Sequence, residues 1–502
     1  RERGDRLMRG RGAAAAAARP MYRHASARRR VRALRIPDAS PSWFDGDGHP
    51  VASVDARGRF VNPWEPGANR KTLYELLKWV APRWIGTLIG TAPTTKPPGR
   101  SAGARGDAPV SLPAAVVGGG VHWSGTAARP ASSAHPIKFS WVGHSTCLVQ
   151  MGDTADGGSS PPSEEGGGAD DVLSALSRSD DAVTILTDPI FSSRASALPF
   201  IGGSVRFVRA SINVADLERT NTKIDAVLIS HDHYDHLDYE SVCALAESDV
   251  GRDTRWFVPL GIGSWLERNA GVPPSQIVER GWWGSCEFQV GATTVRTVCA
   301  PAQHWCSRSP FDHNKRLWCS WAVYASTPGG GRATGRQRFY FGGDTARPLH
   351  FPMHRQIGDR LGPFDLSVLP IGAYEPDWFL GDSHCSPAES VEMHLDLRSK
   401  RSVGVHWGTF PLADEAWDDP PRRLAEGVTS VGGLMGDSSF GTVSRGCVID
   451  FGVGCQKAAK VRRTEKWTEK WTEKVVTGNN MPTEKKYQGK EELVSKQETV
   501  RL

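Results

Sequence analysis

Polar and apolar positions alternate most cleanly just after position 136. Ile137, Phe139 and Trp141 interleave with Lys138 and Ser140, the period of two expected of a strand. The chain turns at Gly143-His144-Ser145-Thr146, and Cys147-Leu148-Val149 resumes extended structure. Short apolar runs follow at 183–187, 226–229, 256–260, 294–298, 338–341 and 402–405, each too short for a helix and most rich in β-branched or aromatic residues. Between them, 239–247 and the stretch from Ser264 read as helices. Strands alternating with helices predict a layered α/β architecture.

Upstream, apolar residues at 73, 76, 77, 80, 81 and 84 follow the rhythm of an amphipathic helix that Pro82 kinks or ends. Trp79, Trp84, Lys78 and Arg83 near that end suit either a membrane interface or packing against the folded body. Low-complexity composition divides the rest. Residues 1–58 are expected to be a disordered basic region, 59–92 a membrane-proximal segment, 93–135 a Pro/Gly/Ala/Ser linker, 136–454 the catalytic domain and 455–502 a polar tail. Residues 152–181, rich in Gly, Ser, Pro and Asp, are expected to form an unstructured insert. The Thr-Glu-Lys-Trp repeat at 464–474 belongs to the tail.

Charge adds little to this plan. The 502 residues carry 61 Lys and Arg against 55 Asp and Glu, a net +6 that comes largely from arginines before position 110 and from the lysine-rich end. Such tails suit anionic partners, lipid headgroups or nucleic acid, but are expected to be simply solvated, with no specific nucleic-acid partner. The nine cysteines form no C-x-x-C pair, which argues against a disulfide framework or a thiolate zinc finger and suits a reducing compartment. No apolar run approaches the roughly 18 residues that span a bilayer. An intracellular protein held peripherally at a membrane is expected. The chain opens on Arg1 rather than methionine, so its natural N-terminus is expected to lie upstream.

The chemistry concentrates after the run at 226–229. His231, His233, Asp235 and His236 fall at H-x-H-x-D-H on one tight turn, where alternating side chains can reach two metal ions; imidazole and carboxylate are the donors that hold zinc, or iron. His304, Asp344 and His406 each follow a further apolar extended run. Strand ends can converge at one edge of a layered sheet, so these residues can share the same metals despite their separation in sequence. Asp188 closes the strand at 183–187 and suits either orienting a ligand histidine or capping the next turn.

The order of these ligands resembles that of the metallo-β-lactamase fold, an αββα sandwich with a two-metal site. Closer likenesses run through Leu186–Ser196, Ser230–Asp238, Gln303-His304-Trp305-Cys306, Gly343-Asp344-Thr345, Pro370–Pro376 and His406-Trp407-Gly408-Thr409-Phe410, with Asn62-Pro63-Trp64 upstream. These resemble the N-acyl-phosphatidylethanolamine-hydrolysing phospholipase D family. The resemblance implies two Zn²⁺ per chain, one held by His231, His233 and His304, the other by Asp235, His236 and His406, with Asp344 bridging. It implies that Tyr234 and His384 face the substrate and that the protein is a homodimer acting on a phospholipid membrane; His384 can also donate a proton to the leaving oxygen, since imidazole titrates near working pH. The expected reaction is hydrolysis of N-acyl-phosphatidylethanolamine to phosphatidic acid and an N-acylethanolamine. The alternative is a hydrolase of the same fold with a soluble substrate, such as a sugar-phosphate lactone or a nucleic acid. Departures from the family pattern fall at Ser307, Ala346-Arg347 and Ser383, on the expected rim of the site.

Overall fold

The computed structural model describes residues 44–65, 71, 74, 75, 78, 121–123, 137–153, 169–176, 179–197, 203–328, 336–431 and 439–451. The main strands, in chain order, are Val121–Trp123 (β1), Ile137–Gly143 (β2), Thr146–Gly152 (β3), Ala182–Thr187 (β4), Ala226–Leu228 (β5), Arg255–Pro259 (β6), Ile277–Arg280 (β7) and Ser285–Val290 (β8). They continue with Thr293–Ala300 (β9), Ser320–Ser326 (β10), Gln337–Phe341 (β11), Leu366–Pro370 (β12), Ser402–Val405 (β13), Phe440–Val443 (β14) and Val448–Phe451 (β15). They form a seven-stranded sheet ordered β7-β6-β5-β4-β3-β2-β15 and an eight-stranded sheet ordered β8-β9-β10-β11-β12-β13-β14-β1.

Alternate positions of one strand serve two different cores. Ala226 and Leu228 face the second sheet while Val227 faces outward, and Phe257 faces inward between outward Trp256 and Val258. Both faces are covered, so these strands read in sequence as unbroken apolar runs. The outward face of the first sheet is covered by Val214–Arg219 (α2), Tyr239–Glu247 (α3) and Gly263–Ala270 (α4). The second sheet is covered by Met353–Arg360 (α5), Pro387–Asp396 (α7) and Asp419–Ser430 (α8). The result is the four-layered αββα sandwich of the metallo-β-lactamase fold. The Trp321 indole crosses between the sheets and donates to the Ile229 carbonyl at 2.8 Å, fixing the strand end from which the histidine turn departs.

The topology delivers the candidate ligands to one edge. Strands β4 to β7 run parallel, as do β11 to β14, and β9 shares the direction of β11 because both are antiparallel to β10. Asp188, the 231–236 turn, His304, Asp344 and His406 therefore all lie beyond C-terminal strand ends. Helix caps set the exits from that edge. Asp238 closes the turn and accepts the Ser241 N–H at 3.1 Å, starting α3. Ser386 and Glu389 form a capping box that starts α7 just after His384.

Three boundaries differ from the expectation. Residues 44–58, expected to be disordered, belong to the folded body: Ser53–Val54 pairs with Phe60–Val61, and Phe60 N–H donates to the Asn314 carbonyl at 2.8 Å. Within the expected linker, β1 adds in parallel to β14 at the sheet edge. Within the expected insert, Ala169–Ser174 is a helix (α1), and Val172, Leu173 and Leu176 are buried in the outer core, enough apolar surface to order a segment whose composition is otherwise polar. Of the amphipathic helix expected over 73–84, Tyr74, Glu75 and Lys78 are described and are helical; the rest lies outside the described residues, as do residues 1–43 and the 464–474 repeat. Lys71 pairs with Asp382 at 2.7 Å and Lys78 lies 4.2 Å over the Trp378 ring, so this segment starts against Asp377–Leu380 (α6) and the loop that carries His384. Among the described residues, no helix is long and apolar enough to cross a membrane.

The N-terminal arm also braces the site. Asn62 donates to the His304 carbonyl at 3.1 Å and Trp64 donates to the Gln303 side chain at 2.7 Å. The Trp64 ring stacks on Phe351 (5.1 Å) and Trp282 (5.6 Å). Trp64→Ala is expected to cost about 3 kcal/mol of stability, in the range for emptying a buried aromatic site. Urea unfolding measures this, and a loss under about 0.5 kcal/mol would show that the arm merely lies on the surface.

Candidate metal centre

Two groups of donors face each other at the strand ends: His231, His233 and His304, and His144, Asp235, His236 and His406. In the first, His233 Nδ1 lies 2.9 Å from His231 Nε2 and 3.2 Å from His304 Nε2. The outward nitrogens explain why the inward ones converge. His231 Nδ1 meets Ser230 Oγ at 2.9 Å, His304 Nδ1 donates to the Ser383 carbonyl at 2.8 Å, and His236 Nδ1 donates to Asp188 Oδ2 at 2.7 Å. Each contact fixes a ring and leaves Nε2 for the centre.

Asp344 joins the groups. Its Oδ2 lies 3.2 Å from His236 Nε2 and 3.8 Å from both His304 Nε2 and His384 Nδ1, while its Oδ1 lies 3.1 Å from His406 Nε2. The loop comes this close because Gly343 adopts φ +58°; a Cβ there would meet the Ser230 Cβ at 2.4 Å. The non-glycine residues Asp188, His144 and His406 also have positive φ, a local strain that the surrounding hydrogen bonds hold in place.

The electrostatics are those of a site built for cations. Burial holds His231 and His304 well below the usual imidazole range and lowers His233. Burial opposes charge at Asp235 and Asp344 too, yet His236 beside them keeps both carboxyls well below their usual range. Conversely, burial disfavours charge on His236 and His406, but the Asp344 carboxylate overrides it, raising His236 well above its ordinary value and His406 to about 9. Protons on those two rings occupy the place of positive charge. Metal ions fit this donor set: His236 Nε2, His406 Nε2 and Asp344 Oδ1 are buried and make no hydrogen bond, a costly arrangement unless a cation satisfies them.

Seven residues expected as ligands, His231, His233, Asp235, His236, His304, Asp344 and His406, thus lie in one cluster. His384 lies beside it, its ring 5.1 Å from His304 and 5.7 Å from His406. Burial pushes His384 down to about 4, so its imidazole is uncharged at neutral pH and offers a hydrogen bond rather than the spare proton expected of it. Tyr234 is not brought to the cluster. Its hydroxyl donates to the Arg308 carbonyl and its ring carries the Arg308 guanidinium at 4.3 Å, so it braces the neighbouring loop. Asp188 accepts from Ser230 and His236, so of its two readings it orients a histidine rather than capping the next turn. His144 was not singled out from sequence, since a lone histidine in a turn carries no pattern; burial and His406 push it down to about 3.

The family described as "Beta-lactamase superfamily domain" matches residues 183–407. The N-acyl-phosphatidylethanolamine-hydrolyzing phospholipase D 1 of Caenorhabditis elegans is 34% identical over 310 residues, 61% of this chain and 73% of that protein. An uncharacterised protein of Mycobacterium tuberculosis is 39% identical over 292 residues, 57% of this chain and 63% of its own length. The mitochondrial N-acyl-phosphatidylethanolamine-hydrolyzing phospholipase D of Saccharomyces cerevisiae is 31% identical over 246 residues, 49% of this chain and 48% of that protein.

Proposed function

Because the chain belongs to the N-acyl-phosphatidylethanolamine-hydrolysing phospholipase D family of metal-dependent hydrolases, we propose that it cleaves N-acyl-phosphatidylethanolamine at a membrane surface, releasing phosphatidic acid and an N-acylethanolamine. The observation that carries this reading is the pair of facing donor groups with Asp344 in reach of both. His231, His233 and His304 would hold one Zn²⁺, and Asp235, His236 and His406 the other, with Asp344 in reach of both groups. Bound metals supply Lewis acidity and lower the pKa of water toward ~7.

The protein's own residues supply position and charge. Two divalent ions against the two carboxylates Asp235 and Asp344 leave a positive centre, which suits an anionic phosphodiester. His384, uncharged and aimed at the cluster, offers its hydrogen bond to a phosphoryl or leaving oxygen.

The test is incubation of the purified protein with vesicles containing N-acyl-phosphatidylethanolamine, with release of the fatty amide followed by mass spectrometry. Release is expected from the untreated protein, to fall to background in a strong chelator and in His233→Ala, and to return in the chelated protein when Zn²⁺ is restored. Undiminished release under chelation overturns the metal reading. Turnover of a soluble phosphodiester with none of the lipid overturns the substrate.

A further inference from the structure

We propose that His144 is a positioning residue: it orients Asp235 and ties it to the His406 loop, and so sets the affinity of one of the two metal positions and not the other. This rests on the metal reading above.

His144 occupies the turn between β2 and β3 in a left-handed backbone conformation, φ +56°, that non-glycine residues seldom adopt. Three backbone contacts hold it there. Its N–H donates to Thr409 Oγ1 at 2.9 Å, and its carbonyl accepts the Trp141 indole N–H at 2.7 Å and the His406 N–H at 3.1 Å. The ring is enclosed as firmly, at 1% exposure, packed 4.1 Å from the His406 ring and edge-on to Phe410 at 5.1 Å. So clamped, its Nε2 lies 2.9 Å from Asp235 Oδ2. That same oxygen is 3.4 Å from His236 Nε2 and 3.6 Å from His406 Nε2.

The N–H therefore points at the carboxylate oxygen that faces the second donor group. A carboxylate on a short side chain in a turn has two rotatable bonds, and a hydrogen bond to one oxygen removes the freedom to swing away from the metal position. A nitrogen donating its proton offers no lone pair to a metal, so the role assigned to His144 is orientation and not ligation. His231, His233 and His304 form their own group without His144, which makes the effect one-sided.

The experiment titrates the metal-free full-length protein with Zn²⁺ against a chromophoric chelator, for wild type, His144→Asn and His144→Gln. Asparagine tolerates the left-handed turn but is too short to reach Asp235; glutamine carries an amide N–H at the longer reach. Wild type is expected to take two equivalents. His144→Asn should keep the tighter one within about threefold and weaken the other by about 10- to 100-fold, with glutamine recovering most of the loss. The thermal midpoint in chelator should be the same for both variants, and His144→Gly replaces the asparagine variant should that fail to fold. Wild-type binding of both equivalents by His144→Asn overturns the proposal, as does equal weakening by asparagine and glutamine. A wild type that binds no Zn²⁺ sinks the metal reading itself, and the proposal with it.

Discussion

Asp344→Asn is expected to lower the rate of lipid hydrolysis by at least about 10⁴-fold, some 5 kcal/mol of transition-state stabilisation, while leaving the fold intact. Asparagine has the shape of aspartate, so the close approach of Gly343 to Ser230 is kept. What is lost is the charge between the two donor groups. Asp344 reaches His236, His304 and His406, on both sides of the centre, and it is what keeps His406 charged in the metal-free protein. An amide there gives at best one neutral oxygen to two cations and turns its NH₂ toward groups that are themselves donors or cations. The measurements are metal content after dialysis and the rate on vesicles. Two equivalents retained together with a rate within tenfold of wild type would remove Asp344 from the centre.

How much of this was legible in the sequence depends on how local each signal is. The 231–236 turn packs four donors into six residues behind one apolar strand, so its chemistry is visible without any fold. His304, Asp344 and His406 are single residues, readable because each follows an extended run and because parallel strands in a layered sheet end at one edge. His144 could not be read that way. Its partner Asp235 is 91 residues distant, and the turn between β2 and β3 gives no chemical hint. The stretch at 44–58 was hidden for a related reason. Phe44 packs on Phe351 and the Pro50 carbonyl accepts the Trp283 indole N–H, partners more than 200 positions along the chain, whereas local composition reports only what a segment can do alone. The helix at 169–174 was masked by the Gly- and Ser-rich residues before it, although Val172, Leu173 and Leu176 are the helical stripe that docks it. Tyr234 shows the limit of a resemblance: likeness to the family implied that it faces substrate, whereas its hydroxyl donates to the Arg308 carbonyl, a contact 74 residues away that the motif does not announce.

Asp188→Asn is expected to weaken metal binding at both positions, by about 10- to 100-fold each, although Asp188 is assigned no metal. The carboxylate is fully buried, and its two oxygens take three donors: Ser230 N–H at 2.7 Å on Oδ1, and Ser230 O–H at 2.5 Å and His236 Nδ1–H at 2.7 Å on Oδ2. Because the Ser230 hydroxyl gives its proton to Asp188, it is left to accept from His231 Nδ1 at 2.9 Å. One carboxylate thereby sets the ring orientation of a histidine in each donor group, directly for His236 and through Ser230 for His231. Burial raises the Asp188 carboxyl above its usual range, and the bonds from His236 and Ser230 work against that rise, so the anion survives only while its donors are in place. An asparagine offers one oxygen and an NH₂, which leaves at least one of the three donors facing another donor inside the core, a defect that costs about 1–3 kcal/mol. The expected result is therefore twofold: lower affinity for both equivalents in a chelator competition, and a drop of that size in unfolding free energy measured with the metal removed. Loss of a single equivalent would confine Asp188 to His236 and break the proposed relay through Ser230. Unchanged binding of both would mean that neighbouring packing alone, and not this hydrogen-bonded chain, holds the two rings.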